Sequence, residues 1–208
     1  MTRRWLLALG PALAVLASPL RALAEACRPT PRQTMGPFYP ARGIAGVATD
    51  LTRTRPDGPR ARGEILYLSG RVVDRECRPL AGAEVEIWQA DVEGRYNHPL
   101  EAPSRGPLDP NFRYWGEAMT DAEGRYAFVT IVPAPYSGRT AHVHFRVRAR
   151  GHADLVTQMY FEGQPLNGQD FLLRQLSGEE RARVVVPLVA AEDRERGAKR
   201  CEFEIGLA

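Results

Sequence analysis

Pro135–Phe145 reads P-Y-S-G-R-T-A-H-V-H-F. It gathers Tyr136, Arg139, His142 and His144 into one short segment, and His142 and His144 are half of the four histidines in the chain. From His142 to Arg148 the residues alternate as those of a strand do, so positions 142 and 144 face the same side. Both imidazoles then reach one spot, and imidazole is the commonest protein metal ligand. A satisfied structural pair is the competing meaning of His-x-His on a strand. Two histidines do not complete a transition-metal site, so carboxylates, thiolates or phenolates must be added. No H-E-x-x-H is present, and no carboxylate stands at a familiar offset for a two-His-one-carboxylate iron site.

Outward from this segment the pattern stays β. Ile65–Asp74 is rich in branched and aromatic residues and reads as strand. Ala83–Trp88 alternates small or apolar with acidic residues, a half-buried strand of period two. Tyr114–Thr120, Arg125–Ile131, Val156–Phe161, Val184–Leu188 and Phe203–Leu207 supply further strands, with Asp121–Gly124 as a turn of hairpin type. Gln89–Arg113 is rich in Gly, Pro and Asn and reads as a long loop, a kind that is usually functional inside a domain. Gln169–Arg183 shifts to helix, with Ser177-Gly178-Glu179-Glu180 in capping-box form. Asp193–Arg200 reads as a solvated charge run. Seven to nine short strands, long loops and one short helix indicate an all-β fold, a β-sandwich, over residues 64–208.

The chain has 208 residues. It opens with Arg3-Arg4, an apolar run from Trp5 to Leu20 and Ala22-Leu23-Ala24, the form of a secretion signal over residues 1–24. Pro11, Pro19 and the short apolar span argue against a retained membrane helix. Ordinary secretion and the twin-arginine route both fit, so an exported, periplasmic or secreted protein is expected. Without residues 1–24 the 25 basic residues balance 25 acidic ones. No basic run with interleaved aromatics occurs, which argues against a nucleic-acid partner. Cys27, Cys77 and Cys201 allow one internal disulfide in an oxidising compartment, the pairing being open, and their spacing does not match a zinc site. Residues 25–63 read as an irregular arm rich in Pro, Arg, Gly and Thr. Its ordered part is Thr34–Pro40, whose Phe38 and Tyr39 are expected to dock on the domain.

Two tyrosines lie near the histidines or in the long loop: Tyr136, and Tyr96 in Gly94-Arg95-Tyr96. A phenol with an ordinary pKa of about 10 needs a strong reason to ionise, and a trivalent cation supplies one. Several segments carry a resemblance. They are Leu80–Tyr96, Leu108–Phe112, Thr120–Tyr126, Thr130–Tyr136, Ala141–Phe145 and Gln158–Gly163. In this order and spacing they resemble the motifs of intradiol ring-cleavage dioxygenases, and within that family the iron-bearing (beta) chains of the protocatechuate 3,4-dioxygenase branch.

The resemblance implies an Fe(3+) cofactor held by Tyr96, Tyr136, His142 and His144, with Tyr136 as the tyrosinate that leaves the metal when substrate binds. It implies Arg139 and Gln158 as active-site residues beside the substrate, and Gly36 and Pro37 at the pocket mouth. It further implies a catechol-type substrate and O2, ring opening to a cis,cis-muconate, and either a homo-oligomer or pairing with a homologous chain. The segment from Tyr136 to His142 is short, with Ser137-Gly138 in place of a longer, tryptophan-bearing stretch, which leaves the ring substituent open. A helical linker before the core is missing, which favours the protocatechuate-like branch. The competing reading is a transthyretin-like or carboxypeptidase-regulatory-like sandwich that binds without catalysis. Such a module has no need of His142, His144 or Tyr96.

Overall fold

The computed structural model describes residues 27–40, 48–101 and 106–208. The secretion signal expected over residues 1–24 lies outside the described residues. Among these residues ten strands form two five-stranded sheets, against the seven to nine expected. One sheet runs in the order β3 (Trp115–Met119), β2 (Glu84–Trp88), β5 (His142–Arg148), β6 (Leu155–Phe161) and β7 (Val185–Val186). In the other, β1 (Ile65–Val73) pairs antiparallel with β4 (Arg125–Ile131) and parallel with both β9 (Lys199–Glu202) and β10 (Ile205–Gly206). β8 (Val189–Ala190) completes it beside β9.

Alternation builds the core. Val85 and Ile87 from β2, Val143, Phe145 and Val147 from β5, Leu66, Leu68 and Phe128 from the other sheet, and Phe203 between β9 and β10 are all buried in this core. Each large apolar side chain so buried contributes about 1.5–3 kcal/mol. The intervening residues of β2, β5 and β6 point away from that core. There the Trp88–His144–Gln158 row and the His142–Tyr160 pair are set by strand register. These outward residues are buried too, because the arm and the long loop cover them. Trp88, Ala90, Tyr96 and Trp115 form a second apolar cluster, joined by Met35, Phe38, Tyr39 and Tyr136.

Several local expectations change. The Asp121–Gly124 turn forms, with Asp121 Oδ1 accepting the Glu123 and Arg125 amides. Its flanking strands do not make a hairpin: β3 pairs with β2 and β4 with β1, so the turn is an arch between sheets. The reason is docking onto β1, whose Val72 amide donates to the Gly124 carbonyl at 2.8 Å. Residues expected to begin a strand at Val184 extend the helix α1 (Gly178–Val184), and two two-residue strands follow. The Ser177–Glu180 capping box is present. Strand also begins at Lys199, inside the expected charge run: Cys201 and Phe203 turn inward while Arg200 reaches out to Asp193.

The described parts of the arm are stitched to the domain at several points. Cys27 bonds to Cys77 in the β1–β2 turn, and Cys201 stays a buried thiol whose pKa burial pushes up to about 12. The Thr30 amide donates to the Gly206 carbonyl, and the Gln33 amide to that of Val156. Farther on, Ala48 bridges to Glu117 on β3 and Asp50 to Val129 on β4, so one segment covers an edge of each sheet.

Candidate metal centre

Strand period two brings His142 and His144 to the outer face of β5, and both are about 2 % exposed. Their Nε2 atoms face each other at 3.2 Å. His142 Nδ1 lies 2.6 Å from the Thr140 carbonyl, which can only accept, so Nδ1 carries the proton and Nε2 a bare lone pair. Burial, with Arg139 nearby, pushes the His142 pKa down to about 4. Burial, then His142 and Arg139, hold that of His144 well below its ordinary value. Both rings are therefore neutral near pH 7, the form a metal ligand requires. The His144 ring lies flat on Trp88, with centroids 4.8 Å apart, and its Nδ1 is buried without a hydrogen-bond partner among the described residues.

Two phenols close on this pair. The Tyr136 ring lies 5.5 Å from His142 and 5.2 Å from Tyr96, and the Tyr96 ring 6.2 Å from His144. Tyr96 is held by its loop. Asp91 Oδ1 accepts the Glu93 and Arg95 amides, and Asp91 Oδ2 pairs with Arg95 Nη2 at 2.9 Å and accepts from the Tyr114 hydroxyl at 2.8 Å. Gly94 is required in this turn: its φ is +71°, and a Cβ there would come 2.6 Å from the Pro135 carbonyl oxygen. That contact seats the Tyr96 loop directly on the Tyr136 segment. Burial raises the Tyr96 pKa well above 10, with Tyr136 adding to it, and burial also raises that of Tyr136. The buried Tyr96 hydroxyl makes no well-formed hydrogen bond among the described residues.

These features fit a metal ion. Two lone-pair nitrogens 3.2 Å apart are separated as two ligands bound side by side to one ion at about 2.1 Å each. Among the described residues no group of three or more His, Cys, Asp or Glu could hold a metal, so the remaining donors here are the phenols. Phenolate is a hard anionic donor, suited to a trivalent cation. Such a cation would also stabilise the ionised form that burial alone disfavours.

Arg139 and Gln158 meet beside the histidines. Arg139 Nη2 donates to Gln158 Oε1 at 2.7 Å, and Gln158 Nε2 donates to the Thr34 carbonyl at 3.0 Å. Gly36 stands over His144, where a Cβ would lie 3.3 Å from the ring Cε1, and Pro37 next to it is exposed. Phe38 stacks on Tyr96 at 4.7 Å, and Tyr39 lies edge-on to Trp88. The structure thus brings Tyr96, Tyr136, His142, His144, Arg139, Gln158 and Gly36 to one place, with Pro37 at the rim.

Other residues went unread in the sequence. Tyr160, whose hydroxyl lies 3.1 Å from Gln158 Oε1, stands two residues along the same strand, a signal that period two offers. Trp88, paired with His144 across β2 and β5, follows from register alone. Asp170, bonded to Arg139, carries no such signal.

A family described as Dioxygenase matches residues 34–208. The chain is 36 % identical over 184 residues to the protocatechuate 3,4-dioxygenase beta chain of Burkholderia cepacia, covering 85 % of this chain and 78 % of that one. It is 32 % identical over 167 residues to catechol 1,2-dioxygenase 2 of Acinetobacter lwoffii, covering 72 % of this chain and 57 % of the relative. Among solved structures, the catechol 1,2-dioxygenase of Acinetobacter sp. ADP1 superposes with a TM-score of 0.66 at 28 % identity, over 86 % of this chain and 62 % of that one. The dioxygenase domain of a carbohydrate-binding fusion from Streptomyces sp. SirexAA-E gives 0.66 at 30 % identity, over 86 % and 97 %. With a match that takes in both sheets and every residue of the site, the chain belongs to the intradiol ring-cleaving dioxygenase family.

Proposed function

We propose that this chain is a non-haem Fe(3+) intradiol dioxygenase. It opens a catechol-type, protocatechuate-like ring between the two hydroxyl-bearing carbons with O2, giving a cis,cis-muconate. The observation that carries the reading is the pair of neutral imidazoles with Nε2 atoms 3.2 Å apart, faced by the Tyr96 and Tyr136 phenols. Tyr96, Tyr136, His142 and His144 would hold the ion. Held there, ferric iron would supply the Lewis acidity that a catechol chelates through both oxygens and that prepares its ring for O2.

The chain's own groups have distinct tasks. Tyr136 is half-buried where Tyr96 is about 2 % exposed, so Tyr136 is the phenol with room to move. As a phenolate its Oη could accept one of the two catechol protons, the other passing to solvent hydroxide, so no carboxylate base is needed. The Arg139 guanidinium, fixed by Gln158 and Asp170, supplies a preorganised positive charge for anionic character that develops in the ring. Phe38 and Tyr39 wall the site with apolar surface, which excludes water. Export through a Sec or twin-arginine signal is part of the proposal, supported by the sequence of residues 1–24 and by the Cys27–Cys77 disulfide, a bond that persists in oxidising compartments.

The test is spectroscopic and chemical. The iron-loaded chain should be burgundy from phenolate-to-iron charge transfer, and it should consume one O2 per ring opened across a panel of catechols. Tyr136→Phe should shift the colour and slow turnover. A colourless protein at full iron occupancy removes the tyrosines from the metal, and an unchanged spectrum and rate in Tyr136→Phe removes that residue.

A further inference from the structure

Asp170 lies outside every strand, just before the 3-10 turn Leu173–Gln175, and is fully buried. Its Oδ2 accepts two hydrogen bonds, from Arg139 Nε at 2.8 Å and from the Thr140 amide at 2.9 Å. Its Oδ1 accepts the Leu172 and Leu173 amides, each at 3.0 Å. The Thr140 carbonyl then accepts from His142 Nδ1 at 2.6 Å. Thr140 is held through its side chain as well: the Thr140 hydroxyl donates to Asn167 Oδ1, and Asn167 Nδ2 to the Phe161 carbonyl, both at 2.8 Å.

A carboxylate without solvent exposure is costly to bury and persists where its partners need its charge. Capping a three-residue turn does not need charge, because a Ser or Thr hydroxyl accepts the same amide bonds. The second oxygen, spent on Arg139 and Thr140, is what a hydroxyl could not supply. Only the carboxylate can serve a guanidinium and an amide with one oxygen and two further amides with the other.

Resting on the iron-site reading above, we propose that Asp170 is the positioning residue of this centre. It fixes the Arg139 guanidinium directly and, through the backbone of Thr140, holds the His142 ring in the tautomer that leaves Nε2 bare. Charge stabiliser and metal ligand thus share one anchor outside the strands. Displacing that anchor disturbs both, although it touches neither substrate nor metal. In Asp170→Asn one oxygen becomes a donor, so either Arg139 and Thr140 or the turn amides lose their acceptor.

The test uses the full chain. Long-range nitrogen–proton NMR of the metal-free protein reads the His142 tautomer, and competition against a chelator reads iron affinity. The wild type should show a single Nδ1–H form. A folded Asp170→Asn should show a mixture of tautomers and an iron affinity lowered about 10- to 100-fold. A folded variant with one Nδ1–H form and wild-type affinity overturns the proposal. If Asp170→Asn does not fold, couplings across hydrogen bonds in the wild type decide. Couplings from both Arg139 Nε and the Thr140 amide to the Asp170 carboxyl support the shared anchor, and their absence overturns it. A wild type that binds no iron sinks the dioxygenase reading, and the tautomer and coupling measurements still judge Asp170.

Discussion

His142 and His144 are neighbours on one strand, yet different forces orient them. A carbonyl 2.6 Å away pins the His142 proton, whereas the His144 ring is clamped flat between Trp88 and the backbone at Gly36. The second clamp leaves a methyl group only a tight fit. In Gly36→Ala the new Cβ meets His144 Cε1 at 3.3 Å, and a φ of +71° costs a non-glycine residue about 1–3 kcal/mol. The variant should lower the thermal midpoint by a few degrees and turnover by about 10-fold or more, since small displacements at a reacting centre are expensive. Steady-state assay with calorimetry checks both, and wild-type turnover would show that the loop yields without disturbing the ring. At this scale the sequence was legible where period two operates. His142 and His144 stand on a strand whose faces can be counted; Gln158 also stands on a strand, but the resemblance singled it out. Tyr96 and Tyr136 lie in loops, where spacing says nothing about direction; their positions drew notice, and only the resemblance made them ligands. Asp170 sits at an irregular corner and offered neither.

Among the elements, β5 was readable to the residue because polar and apolar residues alternate along it, and β6 to within one residue from its branched and aromatic content. The arch at Asp121–Gly124 was not, since turn chemistry fixes the local bend and says nothing of which sheet each arm joins. The choice is made by β1, which lies far away in sequence. The docking of the arm was legible in Phe38 and Tyr39, two aromatic rings in a segment without a core of its own. Its anchor was open, because three cysteines do not name their pair. The observed Cys27–Cys77 bond closes a span of 50 residues, for which chain entropy gives about 4 kcal/mol. Replacing both cysteines by serine should therefore lower unfolding free energy in urea by up to that amount. It should also raise the KM for catechols, because the freed arm carries Gln33, Thr34 and Gly36 over the site. Denaturation curves and kinetics check this, and a variant with wild-type stability and KM would confine the bond to a passive link.

For the molecule as a whole, acid is a sharper probe than heat. Burial works against the Asp170 carboxylate, but the Leu173 amide, Arg139 and the Thr140 amide outweigh it and hold its pKa below the ordinary range. In the unfolded chain the same group titrates at about 3.9, so as pH falls the unfolded form takes the proton first. Its stabilising contribution is complete above about pH 3.9 and disappears as pH drops through the folded value. Asp170→Asn has no proton to gain. Its deficit relative to wild type, on the order of 3 kcal/mol near neutral pH for a broken buried ion pair, should narrow at pH 3. Urea unfolding at both pH values checks the sign, and an equal deficit at both contradicts it.

The two sheets also differ in how far apart their strands lie along the chain. β2, β3, β5 and β6, which carry the histidines, Trp88 and Gln158, all fall between Glu84 and Phe161. β1 must wait for β9 and β10, which begin at Lys199 and Ile205. Closing the longer loops costs more chain entropy and delays their contacts. During synthesis, then, the four strands that bear the chemistry can pair before β9 and β10 arrive to complete the other sheet.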